Sequence, residues 1–126
     1  MKQKITANHA PIEIGAYSNA IKCGNMIFVS AQLPVDPETG AVPPTIQEQT
    51  KLVIENVRNI LADVGATLDD VVKTTVYLQE MYLFSQMNAV YAQEFSEPFP
   101  ARSSMAVKEL AKGSLISLEV IAVLEE

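Results

Sequence analysis

Apolar and polar residues follow two different periods along this chain, and the points where the period changes divide it into elements. Residues 17–22 and 26–33 are β-type runs on either side of Gly24-Asn25, a pair that suits a hairpin turn. In the second run Phe28, Ser30 and Gln32 fall on one face, and Ile27, Val29, Ala31 and Leu33 on the other. The period then lengthens. Val53, Val57, Ile60, Leu61 and Val64 recur at helical spacing and predict a helix over 46–64. Thr45 with Glu48 three residues on is a capping-box pattern, and Gly65 suits the position just past the last turn. Residues 71–79, with Val72, Thr74, Thr75, Val76 and Tyr77, return to a strand. Phe84, Met87, Tyr91 and Phe95 mark the stripe of a second helix over 84–96. Residues 102–108 and 115–124 read as two final strands on either side of Ala111-Lys112-Gly113. The prolines gather in two loops, one from Pro34 to Pro44 and one at Pro98 and Pro100.

This order of elements gives an α+β class, one mixed sheet with both helices packed on one face. The last strand is apolar on both faces, which is the pattern of a strand covered on both sides. Two helices can cover only one face, so the simplest cover for the other is a second copy of the chain. At 126 residues, without repeats or linkers, a single domain over 1–126 is expected.

Charge and composition narrow the function. Nine basic and fifteen acidic residues give a net charge of −6, and no run of Lys or Arg occurs. That speaks against nucleic acid as a partner, because phosphate contacts supply most of that affinity. Asp69-Asp70 reads as the acidic start of a strand or turn. The lone Cys23 allows no internal disulfide and reads as structural. The lone His9 leaves no His-rich metal cluster. Phosphate-loop, dinucleotide, zinc and EF-hand spacings are absent, so no cofactor or metal is expected. No secretory pattern or bilayer-length apolar run occurs, so a cytoplasmic protein without membrane contact is expected.

Two positions stand out against this background. Glu119 lies in the middle of the most apolar segment, sharing a strand face with Ser117 and Ile121. A carboxylate there must be paired, hydrogen-bonded or shifted in pKa. A structural salt bridge, or an exposed edge position on a twisted strand, also accounts for it and on composition alone is the commoner case. Arg102 opens a strand after Phe99-Pro100-Ala101, with Ser104 and Ala106 as alternation partners. Its guanidinium could hold a small carboxylate through two parallel hydrogen bonds, or serve as an ordinary surface charge. Ser30, Tyr17 and Asn88 could hydrogen-bond a ligand, although each alone reads as packing or surface. A Ser-His mechanism through Ser30 would need His9, which sits in a loop-like segment.

The residues themselves go further than their spacing. Ala10-Pro11 leads to Ile14-Gly15-Ala16-Tyr17-Ser18, followed by Gly24-Asn25-Met26-Ile27-Phe28-Val29-Ser30-Ala31-Gln32-Leu33-Pro34. Glu55-Asn56-Val57, the run Val72 to Leu78, Met87-Asn88-Ala89-Val90-Tyr91, Phe99-Pro100-Ala101-Arg102-Ser103 and the run Leu118 to Val123 come after, in order. Over nearly its whole length the chain resembles the reactive intermediate deaminase family, formerly the YjgF type, and most closely its RidA branch. The resemblance implies a chorismate-mutase-like fold and a homotrimer, with the sheets forming a central barrel and clefts lying between subunits. It implies hydrolysis of 2-iminobutanoate and 2-iminopropanoate to 2-keto acids and ammonia, without a cofactor. Arg102 would clamp the carboxylate and Glu119 would orient the attacking water. Tyr17, Ser30, Ala31 and Asn88 would line the cleft, and Ser104 would offer a backbone hydrogen bond. Relatives often carry Cys at the Ser104 position and Gly at the Ala31 position, and some are longer between Phe95 and Phe99. Those departures bear on which imine is preferred.

Three other readings compete. A binding protein for small keto or imino acids could use the same cleft without turnover. An endoribonuclease or translation inhibitor fits the −6 charge poorly. Nothing in the sequence speaks for a holdase chaperone.

Overall fold

The structure, a computed structural model, describes residues 1–6 and 10–125; His9 lies outside them. Six strands form one sheet. They are β1 (Lys2–Lys4), β2 (Ala20–Cys23), β3 (Met26–Gln32), β4 (Val71–Leu78), β5 (Ala101–Ala106) and β6 (Ile116–Val123). Helix α1 (Ile46–Ala62) follows β3, and α2 (Phe84–Glu94) lies between β4 and β5. The sheet order is β1-β2-β3-β6-β4-β5. All neighbours are antiparallel except β4 and β5. Parallel neighbours need a crossover, and α2 supplies it. The last strand is therefore a central one, between β3 and β4, and Glu119 is its one charged residue. The two final strands are consecutive in sequence but are not neighbours in the sheet.

Alternation along the strands sorts the two faces. Ile116, Leu118, Val120 and Ala122 of β6 are buried against the helices, together with Ile27 and Val29 of β3 and Val76 and Leu78 of β4. From α1 the same core takes Val53, Ile54, Val57, Ile60 and Leu61. Burying each such side chain contributes about 1.5–3 kcal/mol. From α2 it takes Met87 and Tyr91, with Phe95 stacked on Tyr91 just past the helix end. The opposite face has no helix. There Met26, Phe28 and Met105 remain about 40% exposed. Among the described residues no helix is long and apolar enough to cross a membrane.

Several boundaries differ from the sequence reading for identifiable reasons. Helix α1 starts as expected, with the Thr45 hydroxyl accepting from Glu48 N–H, but Glu48 returns its carboxylate to that hydroxyl instead of to the backbone. The helix ends at Ala62, with Gly65 at φ +76°, a left-handed conformation that suits glycine. Residues 17–19 do not extend β2. Asn19 is buried there as a hub instead, its amide donating to Pro11 C=O and its carbonyl accepting from Gln32. The register between β3 and β6 shifts between Val29 and Gln32. A bulge adds a residue and turns the following side chains over. Gln32 is therefore buried and Ala31 exposed, the reverse of strict alternation. Strand β1, all Lys and Gln and exposed along its length, has no apolar alternation to announce it. Asp69-Asp70 falls in a short 3-10 turn capped by Thr67. Cys23, read as structural, stands exposed at the end of β2.

Candidate active site

Arg102 is the most firmly held of the candidate side chains. It sits near the start of edge strand β5, in register with Thr74 of β4, on the face that carries α2. The guanidinium lies over two α2 rings, 4.7 Å from the Tyr91 centroid and 5.1 Å from that of Phe84. Such stacking is worth roughly 0.5–2 kcal/mol, more as the site dries. Nη1 donates to Asn88 Oδ1 at 2.8 Å. Asn88 and Tyr91 are one helical turn apart on α2, so a single helix face supplies both the hydrogen bond and one ring. Tyr91 is itself fixed by a 2.8 Å hydrogen bond between its hydroxyl and that of Thr74, and burial pushes its phenol pKa up.

No acidic side chain among the described residues pairs with Arg102. A guanidinium carries five N–H donors in a fork matched to carboxylates. One donor is taken by Asn88, and Arg102 also borders a cavity of about 370 Å³ with Ala92, Phe99 and Pro100. Ser104 lies two residues on along the same face. Its Oγ is buried and has no hydrogen-bond partner among the described residues.

Glu119 occupies the other face of the sheet. It is directly opposite Thr75 in the β4–β6 pairing, and its Oε1 accepts from the Tyr77 hydroxyl at 2.5 Å. That bond, then burial and the negative charge, push the Tyr77 phenol pKa up. Glu119 is not on an edge strand, and among the described residues it forms no salt bridge. Lys73, which shares a cavity of about 200 Å³ with it, instead donates to Ser103 Oγ at 3.0 Å.

The remaining candidates lie near β3. Tyr17 is half exposed, and its hydroxyl accepts from Ile14 N–H at 3.3 Å. Tyr17 and Ala31 border a separate cavity of about 200 Å³ with Ile14, Leu33 and Lys112. Ser30 Oγ donates to Ser18 C=O at 2.6 Å, the backbone partner that a strand serine ordinarily finds. Within one chain, then, Arg102 and Asn88 come together with Ser104 two residues on along the strand, Tyr17 and Ala31 come together, and Glu119 stands apart. Strands β5 and β6 are two spacings apart, about 9.5 Å. Arg102 and Glu119 also point to opposite faces, so no small acid can touch both in one copy.

Four contributors went unread in the sequence. Helical spacing puts Phe84 in the core stripe, yet its ring also meets the Arg102 guanidinium. Tyr77 carried only strand propensity, since its meeting with Glu119 depends on the β4–β6 register. Asn19 and Gln32, which tie the Tyr17 loop to β3, became readable only with the bulge.

The family model described as Endoribonuclease L-PSP matches residues 7–124. A RutC family protein of Pyrococcus abyssi is 52% identical over 122 residues, covering 96% of each chain. The 2-iminobutanoate/2-iminopropanoate deaminase of Escherichia coli is 40% identical over 126 residues, covering 98% of each. The crystal structure of E. coli TdcF with bound serine superposes with a TM-score of 0.92 at 34% identity, covering 98% of this chain and 99% of that one. The chain belongs to the endoribonuclease L-PSP family, the YjgF/Rid proteins that include reactive intermediate deaminases.

Proposed function

We propose that this protein hydrolyses 2-imino acids such as 2-iminobutanoate and 2-iminopropanoate to 2-keto acids and ammonium, in clefts formed between copies of the chain. The observation that carries the reading is Arg102. It is an oriented, ring-stacked guanidinium with no acidic partner among the described residues, open to a cavity sized for a small acid. A relative named for this deaminase reaction and a relative with bound serine, itself a small carboxylate, support the same substrate class.

Arg102 holds the substrate carboxylate, and Asn88 keeps the guanidinium in the receiving orientation. Glu119 comes from the neighbouring copy. Its open face, with Met26, Phe28 and Met105 exposed, is the surface that a homotrimeric barrel would cover. Tyr17, Ser30 and Ala31 line the cleft from the same side as Glu119, and Ser104 contributes beside Arg102. Glu119 takes a proton from a water as the water oxygen bonds to the imine carbon. It returns the proton to the nitrogen, and the C–N bond breaks. The departing ammonia takes the hydroxyl proton, leaving a ketone and ammonium. A protonated imine is already electrophilic, so placement of the water and the acid end supplies most of the catalysis. Well-oriented groups can contribute about 7–11 kcal/mol by this means. An RNA-cleaving role, which the family description names for some members, has little support here, given the −6 charge.

The test is imine hydrolysis with a dehydratase or amino-acid oxidase generating substrate in place and keto acid formation timed. Acceleration by the wild type and loss of at least about a hundredfold of kcat/KM in Arg102→Ala are expected from removing a charged clamp. Near-normal kcat/KM in Arg102→Ala would refute the assignment. Tight keto acid binding without any turnover would favour the binding-protein reading.

A further inference from the structure

We infer that Tyr77 is a positioning residue for Glu119, its hydroxyl tying down one carboxylate oxygen so that the other is aimed at the water. This rests on the hydrolytic reading above and adds a residue to it. Strand register brings the pair together. Thr75 is opposite Glu119 and Tyr77 is opposite Ser117, so Tyr77 is the diagonal neighbour of Glu119 on the same face. Diagonal positions are about 7–8 Å apart, within reach of a tyrosine. The contact is 2.5 Å from the hydroxyl to Oε1.

The direction of this bond is fixed by chemistry. An ionised carboxylate only accepts, so the phenol must donate. The phenol is well suited to remain the donor, because its pKa is raised by the bond to Glu119 itself. Lys73, a cation that borders the same cavity, donates to Ser103. Glu119 is therefore oriented by a neutral donor instead of being neutralised by a cation. Oε2, for which no partner occurs among the described residues, is left to accept from a water in the cavity shared with Thr75 and Phe28. A carboxylate held at one oxygen loses little freedom on reaching the transition state, which is the condition for efficient proton transfer.

Tyr77→Phe keeps the ring and its packing and deletes only the donor. It should lower kcat by about tenfold while KM stays within about twofold, the pattern of an interaction that matters in the chemical step. Unchanged kcat, or a raised KM with unchanged kcat, would overturn the inference. A second readout does not depend on turnover. With tyrosines labelled at Cζ, the resonance lost in Tyr77→Phe should shift at neutral pH in Glu119→Ala, because its acceptor is gone. If that resonance does not move, the pair does not form and Tyr77 has no such role. If the wild type hydrolyses no imine at all, the hydrolytic reading fails and takes this role with it, whatever the resonance does.

Discussion

Asn88 shows how much of the site depends on one modest side chain. Its Oδ1 accepts from Arg102 at 2.8 Å, and α2 places it one turn from Tyr91, over which the same guanidinium lies. Without it the guanidinium could rotate over the rings. Asn88→Ala should raise KM for the imine by about tenfold and leave kcat little changed, as expected when binding common to substrate and transition state is lost. Steady-state kinetics would check the split, and a fall in kcat at constant KM would contradict it. At this scale the sequence singled out Arg102 and Glu119 as candidates and was silent about how they are held. Glu119 was conspicuous because a carboxylate interrupts an apolar run, and Arg102 because it opens a strand. Neither the two rings around Arg102 nor the hydroxyl on Glu119 could be read, since Phe84 and Tyr77 reach them only through tertiary register.

Among the elements, the segment after β3 is held by a polar contact from α1. Asn56, buried on α1, donates through Nδ2 to the carbonyls of Leu33 at 3.1 Å and Val35 at 2.9 Å. Gln49 acts similarly one level higher, joining Pro43 C=O to Leu115 N–H. Asn56→Leu, close in size, would leave both carbonyls without that donor. It should destabilise the fold by about 1–3 kcal/mol, measured as a lower urea midpoint at unchanged slope. No change in midpoint would mean those carbonyls find other partners. Helix α1 was legible because its period and its Thr45 cap agree, and α2, which has no side-chain cap, through its apolar stripe alone. The bulge at Val29–Gln32 and the exposed strand β1 were not. The first inverts an alternation that looked regular, and the second consists of polar residues paired along one edge.

For the whole molecule, the decisive fact is that the two catalytic candidates lie on opposite faces of one sheet. The apolar pattern of β6 indicated that the second face needs a cover, and the exposed Met26, Phe28 and Met105 on that face agree. What covers it is not written in one chain's periodicity. A cyclic assembly in which Arg102 of one copy meets Glu119 of the next reconciles the geometry with a shared substrate. This claim can be tested by mixing two inactive variants, Arg102→Ala and Glu119→Gln, refolded together in equal amounts, and measuring imine hydrolysis. Each pure variant should be nearly inactive. In the random mixture about one cleft in four should pair an intact Arg102 with an intact Glu119 from different copies, restoring about a quarter of wild-type activity. If the mixture stays as inactive as its components while wild type refolded the same way is active, Arg102 and Glu119 do not meet across an interface, and the shared-cleft account is wrong.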